Sequence, residues 1–66
     1  MKIFGTRLRE VRKSKKITQI ELANMLGISQ KSYSHWENNK TFPSFENLIK
    51  LADLLEVSLD WLFGRE

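Results

Sequence analysis

The 66-residue chain has no cysteine, one histidine and one proline. Without thiols there are no disulfides and no thiolate metal sites. A single histidine gives no basis for a structural metal cluster. No apolar run approaches the roughly 20 residues of a membrane span. The N-terminus lacks the apolar core of a signal peptide, so a cytoplasmic location is expected. Linkers, repeats, low-complexity segments and convincing strands are all missing. Acidic side chains are scarce early in the chain. Residues 1–40 hold nine basic side chains against three acidic ones, and residues 41–66 hold two against five. That asymmetry suits a polyanion such as nucleic acid, an anionic membrane surface, or simply a solvated helix face. So short a chain has room for one domain (residues 1–66) and buries only about 60% of its unfolded surface. Stability must come from helix packing or from a partner.

What is present is regular helix punctuation. Phe4, Leu8 and Val11 recur at helical spacing and predict a first helix from about Ile3 to Lys15. Gly5 weakens its first turn. "TQIE" at 18–21 is a capping box, with Thr18 and Glu21 exchanging side-chain and backbone hydrogen bonds. Leu22, Ala23 and Leu26 form the next stripe, and Gly27 ends that helix as a left-handed cap. Ser29 caps a third helix, Ser44 a fourth with Leu48, Leu51, Ala52 and Leu55 inward, and Ser58 a short fifth that Gly64 stops. The predicted fold is an all-α bundle of five short helices. Only Gly27 and Ile28 separate the second helix from the third cap, which forces a sharp turn.

The stretch "SQKSYSHWENNK" (29–40) carries Tyr33 and Trp36 three residues apart among polar residues. That spacing buries both aromatics on one side. Gln30, Lys31, Ser34 and His35 are left on the other side. No second histidine and no carboxylate cluster accompanies His35, so neither a catalytic nor a metal role is expected. Ile20 and Phe45 fall where partial exposure is expected, as half-buried residues or as a partner surface.

The ordered string "ITQIELANMLGIS…Y…WENNK…PS…LADLLEVSLDWL" resembles the lambdoid phage repressor and Cro type of helix-turn-helix domain, the Xre family, over roughly residues 4–63. The resemblance implies a helix-turn-helix whose second helix lies in the major groove of double-stranded DNA. On that basis Gln30, Lys31, Ser34 and His35 face base edges. Thr18, Gln19, Ser32, Asn38, Lys40 and Lys13 contact phosphate. Arg12 and Glu37 match a family ion pair joining the first helix to the end of the third. The family usually has Gly at position 39, where this chain has Asn39. Asn39→Gly is therefore expected to stabilise the turn, provided Asn39 has positive φ. The resemblance also implies a transcriptional regulator, most simply a repressor acting as a homodimer on a palindromic operator, with no enzyme activity and no cofactor. The acidic C-terminal half, with Trp61 and Phe63, is the expected dimer surface. Two rival readings keep the fold: an antitoxin that grips a toxin, and a protein-interaction module without DNA binding.

Overall fold

The computed structural model describes residues 2–66. Five helices follow in order: α1 (Ile3–Ser14), α2 (Gln19–Leu26), α3 (Gln30–Glu37), α4 (Phe45–Leu55) and α5 (Leu59–Leu62). Helix α3 packs on α1 and α2, and α5 returns onto α1 and α4. The core is Phe4, Leu8, Val11, Leu22, Ala23, Leu26, Tyr33, Trp36, Leu51, Leu55 and Leu62. The helical stripes expected from the sequence supply nearly all of it. No described helix is long and apolar enough to cross a membrane.

The expected caps form. The Thr18 hydroxyl accepts from the Glu21 amide at 3.1 Å, and the Glu21 carboxylate accepts from the Thr18 amide at 2.9 Å. Ser29, Ser44 and Ser58 each accept from the amide three residues on. These contacts satisfy donors that would otherwise be left at each helix start.

The helix ends share a further device. Lys16, Gly27, Asn39, Glu56 and Gly64 all have φ between 58° and 73°. The amide just after each bonds back to a carbonyl five residues earlier: Ile17 to Arg12, Ile28 to Ala23, Lys40 to His35, Val57 to Ala52 and Arg65 to Asp60. This is the Schellman pattern, and Ile17, Ile28 and Val57 then pack on the core beside it. Gly27 and Gly64 were legible as caps. Lys16 and Glu56 were not, because their side chains give no left-handed signal.

Asn39 requires a correction. Its φ of 59° is the conformation the family glycine would hold. Its side chain, however, also accepts from the Gly5 amide at 3.0 Å and donates to the Lys2 carbonyl at 3.2 Å. Lys2 gives α1 no side-chain cap of its own. Asn39 therefore caps α1 from across the fold, and the gain expected from Asn39→Gly is withdrawn. Gly5, read as a weak point, is instead a point of close approach. A Cβ there would lie 2.3 Å from the Glu37 carbonyl oxygen.

The C-terminal aromatics are less exposed than their density in the sequence suggests. Phe63 stacks on Phe4 with ring centroids 5.1 Å apart. The Arg7 guanidinium lies 4.9 Å from the Trp61 ring centroid and also donates to the Trp61 carbonyl. Both aromatics are half-buried against the core. The apolar side chains that face solvent in this half are Phe42, Phe45, Ile49 and Leu54, with Phe45 72% exposed.

Candidate nucleic-acid interface

Helix α3 owes its position to one buried carboxylate. Glu37 is 2% exposed and Arg12 8%. The Arg12 guanidinium donates to Glu37 through Nε at 2.6 Å and Nη2 at 3.3 Å, and through Nη1 to the Ile17 carbonyl at 2.8 Å. The Tyr33 hydroxyl donates to Glu37 Oε2 at 2.5 Å, and Gln19 Nε2 donates to Oε1 at 2.9 Å. One carboxylate thus ties α1, α2 and α3 together. Among the described residues no buried side-chain polar atom lacks a partner. This matters because a half-satisfied buried charge is far costlier than a satisfied one.

The electrostatics follow from these contacts. Burial alone would push the Glu37 carboxyl up, but the hydrogen bonds from Arg12, Tyr33 and Gln19 outweigh it and hold the group below its ordinary value of 4.5. The bond to Glu37 raises Arg12 against the opposing effect of burial. Burial pushes the Tyr33 hydroxyl far up, and its bond to Glu37 adds to this, so it stays a donor. The expected ion pair is present and more deeply embedded than the sequence indicated. Tyr33 packs in the core as its spacing predicts, and its hydroxyl is also part of the hub. The i, i+4 spacing of Tyr33 and Glu37 was the available signal.

The hub reaches the surface at α3's first turn. With Nε2 held by Glu37, Gln19 turns Oε1 outward, where it accepts from Gln30 Nε2 at 3.4 Å. A second chain runs along the end of the helix. Asn38 Nδ2 donates to Ser34 Oγ at 3.4 Å, and Asn38 Oδ1 accepts from Arg9 Nη2 at 3.2 Å. Gln19–Gln30 and Ser34–Asn38 are therefore two hydrogen-bonded pairs, one at each end of α3, and together they form a row along it. Gln30, Lys31 and Ser32 are exposed on α3, and Ser34 and His35 are half-buried. Ser32 Oγ turns back and accepts from Ser29 at 3.1 Å. The Thr18 hydroxyl is engaged as an acceptor in its cap but keeps its own proton to donate. Lys40 and Lys13 are exposed, and no described contact ties either side chain to the row. No motif in the sequence assigns a role to Arg9. It lies one turn before Arg12, and that i, i+3 relation was the clue to its shared neighbourhood.

What the arrangement offers is a short helix with amide and hydroxyl groups outward, held rigidly from behind and flanked by cations. Among the described residues no group of three or more His, Asp or Glu side chains could hold a metal ion. Two helices joined by a tight Gly27 turn, with such a face on the second, define a helix-turn-helix protein. The chain belongs to the helix-turn-helix family, which matches residues 8–62. It is 46% identical over 59 residues to the cryptic phage CTXphi transcriptional repressor RstR of Vibrio cholerae, covering 89% of this chain and 53% of that protein. It is 44% identical over 64 residues to the transcriptional regulator DicA of Escherichia coli, covering 96% and 47%. The crystal structure of the Salmonella phage P22 c2 repressor with a synthetic operator superposes with a TM-score of 0.89 at 38% identity, covering all of both chains. The chain spans about half the length of the curated relatives it matches.

Proposed function

We propose that residues 1–66 form one sequence-specific, double-stranded DNA-binding domain of a transcriptional repressor, without enzyme activity or cofactor. The observation that carries this is the two hydrogen-bonded pairs along α3, Gln19–Gln30 and Ser34–Asn38, the first of them anchored directly on the Glu37 hub. Phosphate contacts position a protein on the duplex, and base-edge contacts read sequence. Gln can pair with adenine N6 and N7, and Lys can donate to guanine O6 and N7. Gln30, Lys31, Ser34 and His35 are the base readers. Thr18, Gln19, Ser32, Asn38, Lys40 and Lys13 meet phosphate. The relatives named as repressors, and the c2 repressor crystallised with an operator, support this reading. The protein works in the cytoplasm, where its DNA is.

The test is a random-duplex selection followed by salt titrations of variants. Gln30→Ala weakens binding to the selected duplex by about 1–3 kcal/mol and leaves scrambled duplex nearly unchanged. Lys40→Ala weakens both alike and makes the log–log salt slope shallower by about 0.9 per subunit. Equal weakening of both duplexes by Gln30→Ala would mean that α3 reads no sequence.

The domain binds as a homodimer on a two-fold operator. A single module buries too little surface for tight binding at physiological salt. The C-terminal half forms the dimer surface, Trp61 and Phe63 lining it from their half-buried seats and Phe45 supplying accessible apolar area. Phe63→Glu would also break the stack on Phe4, so Phe45→Glu is the cleaner charge test. Sedimentation of that variant should show weaker concentration-dependent association, and unchanged association would place the interface elsewhere.

A further inference from the structure

A cleft of about 430 Å³ opens between the start of α1 and the end of α3, lined by Lys2, Thr6, Arg9, Glu37, Asn38 and Asn39. Arg9 is its most versatile group. Its side chain is 44% exposed, its Nε lies 3.5 Å from Glu37 Oε1 and its Nη2 bonds Asn38 Oδ1. Those two contacts hold the guanidinium in place and leave further N–H donors pointing to solvent. Glu37 does not cancel the cation. It is already paired with Arg12 through two hydrogen bonds, so two guanidiniums share one carboxylate and Lys2 adds a third positive charge. The local balance favours an anion. The cleft is also continuous with the recognition face, because Arg9 bonds Asn38 and Asn38 bonds Ser34 on α3.

We propose that this cleft seats a DNA backbone phosphate and that Arg9 is its principal donor, extending the contact surface along α1 one turn before Lys13. A guanidinium fork matches two oxygens of a phosphate, and a side chain already held in place loses little freedom on binding. Asn38 supplies its second amide proton beside it. The inference rests on the DNA-binding reading and assigns that surface a phosphate seat and a residue, Arg9, that the reading does not include.

The experiment combines charge removal on both sides. The selected duplex is made with single neutral methylphosphonates at each position around the half-site. Wild type, Arg9→Gln and Arg9→Lys are titrated against each. Arg9→Gln should bind the unmodified duplex about tenfold more weakly per half-site, as expected for losing one charge-assisted hydrogen bond. Its salt slope should be shallower by about 0.9 per subunit. One methylphosphonate position per half-site should weaken wild type but no longer weaken Arg9→Gln. Arg9→Lys should recover the slope and only part of the affinity, since a point charge replaces the fork. If Arg9 were only a strut for Asn38, Arg9→Gln would lose affinity with its slope and phosphate profile intact, and the proposal would be overturned. The same holds if Arg9→Gln melts too low to assay and Arg9→Lys, folded, shows the wild-type affinity at every position. Failure of the DNA reading looks different: wild type itself would not distinguish selected from scrambled duplex.

Discussion

Helices α1 to α3 close around a buried carboxylate, whereas α4 and α5 close around leucines. Both buried charged residues, Arg12 and Glu37, lie in the first three helices. The later pair is sealed by Leu51, Leu55 and Leu62, with Leu48, Val57 and Leu59 partly buried around them. Apolar packing is non-directional and tolerates small shifts. A carboxylate that accepts from Arg12, Tyr33 and Gln19 does not, because each bond has a required distance and angle. The polar hub thus sits where position matters, beneath the proposed reading face. The leucine half needs only to hold.

The largest expected effect tests this contrast directly. Glu37→Met should cost about 3–5 kcal/mol, because Arg12 is left as a lone buried charge. Arg12→Met should cost a comparable amount, and the double variant should lose clearly less than the two losses added. Additive losses in thermal melts would mean that the pair is not a coupled buried unit. Leu51→Ala should cost about 2–5 kcal/mol through its cavity, and that loss should be the same at every pH.

Acid titration separates the halves next. Glu37 is held below its ordinary 4.5 in the folded state, so it releases its proton more readily there than in the unfolded chain. Its contribution is full above about 4.5 and disappears as pH falls through the lower folded value. Wild type and Leu51→Ala should share this acid loss, while Glu37→Met should show a flatter stability curve below pH 4.5. Parallel curves for all three would mean that other carboxylates govern acid unfolding. Tyr33→Phe should cost about 1.5–3 kcal/mol by removing a hydrogen bond to a charged acceptor while keeping the ring in the core. A loss of only a few tenths in denaturant melts would show that Arg12 and Gln19 satisfy the carboxylate without it.

The smallest effects concern the left-handed helix ends. Glu56 ends α4 with φ 58°, and its side chain makes only an exposed pair with Lys15 at 3.1 Å. Such a pair contributes little. Glu56→Gly should therefore stabilise by about 0.5–1 kcal/mol by relieving the backbone. Asn39→Gly should bring no gain, because the same relief is offset by losing the α1 cap, worth about 1 kcal/mol. Equal rises in Tm for the two variants would show that the Asn39 bonds contribute nothing.

Much of the fold could be read directly from the chain. Thr18, Ser29, Ser44 and Ser58 act on amides three residues away, and Leu22, Leu26, Leu51 and Leu55 follow the helical period. These are local effects, set by residues within one or two turns. Gly27 was legible for the same reason. The outer residues of α3 could be listed too, because burying Tyr33 and Trp36 leaves only one side free.

The sequence by itself determined the five helices, their caps, the buried stripes and the polar side of α3, since each depends on neighbours along the chain. Tertiary structure alone decided how those parts answer to one another. It turned Gly5 into a point of close approach and Asn39 into the cap of a helix 34 residues away along the chain. It brought Gln19 to Glu37, and Arg9 to Asn38. It also drew Phe63 onto Phe4. No periodicity encodes such meetings, because they depend on the angles at which the helices cross one another, and those angles are set by the packing of the whole core.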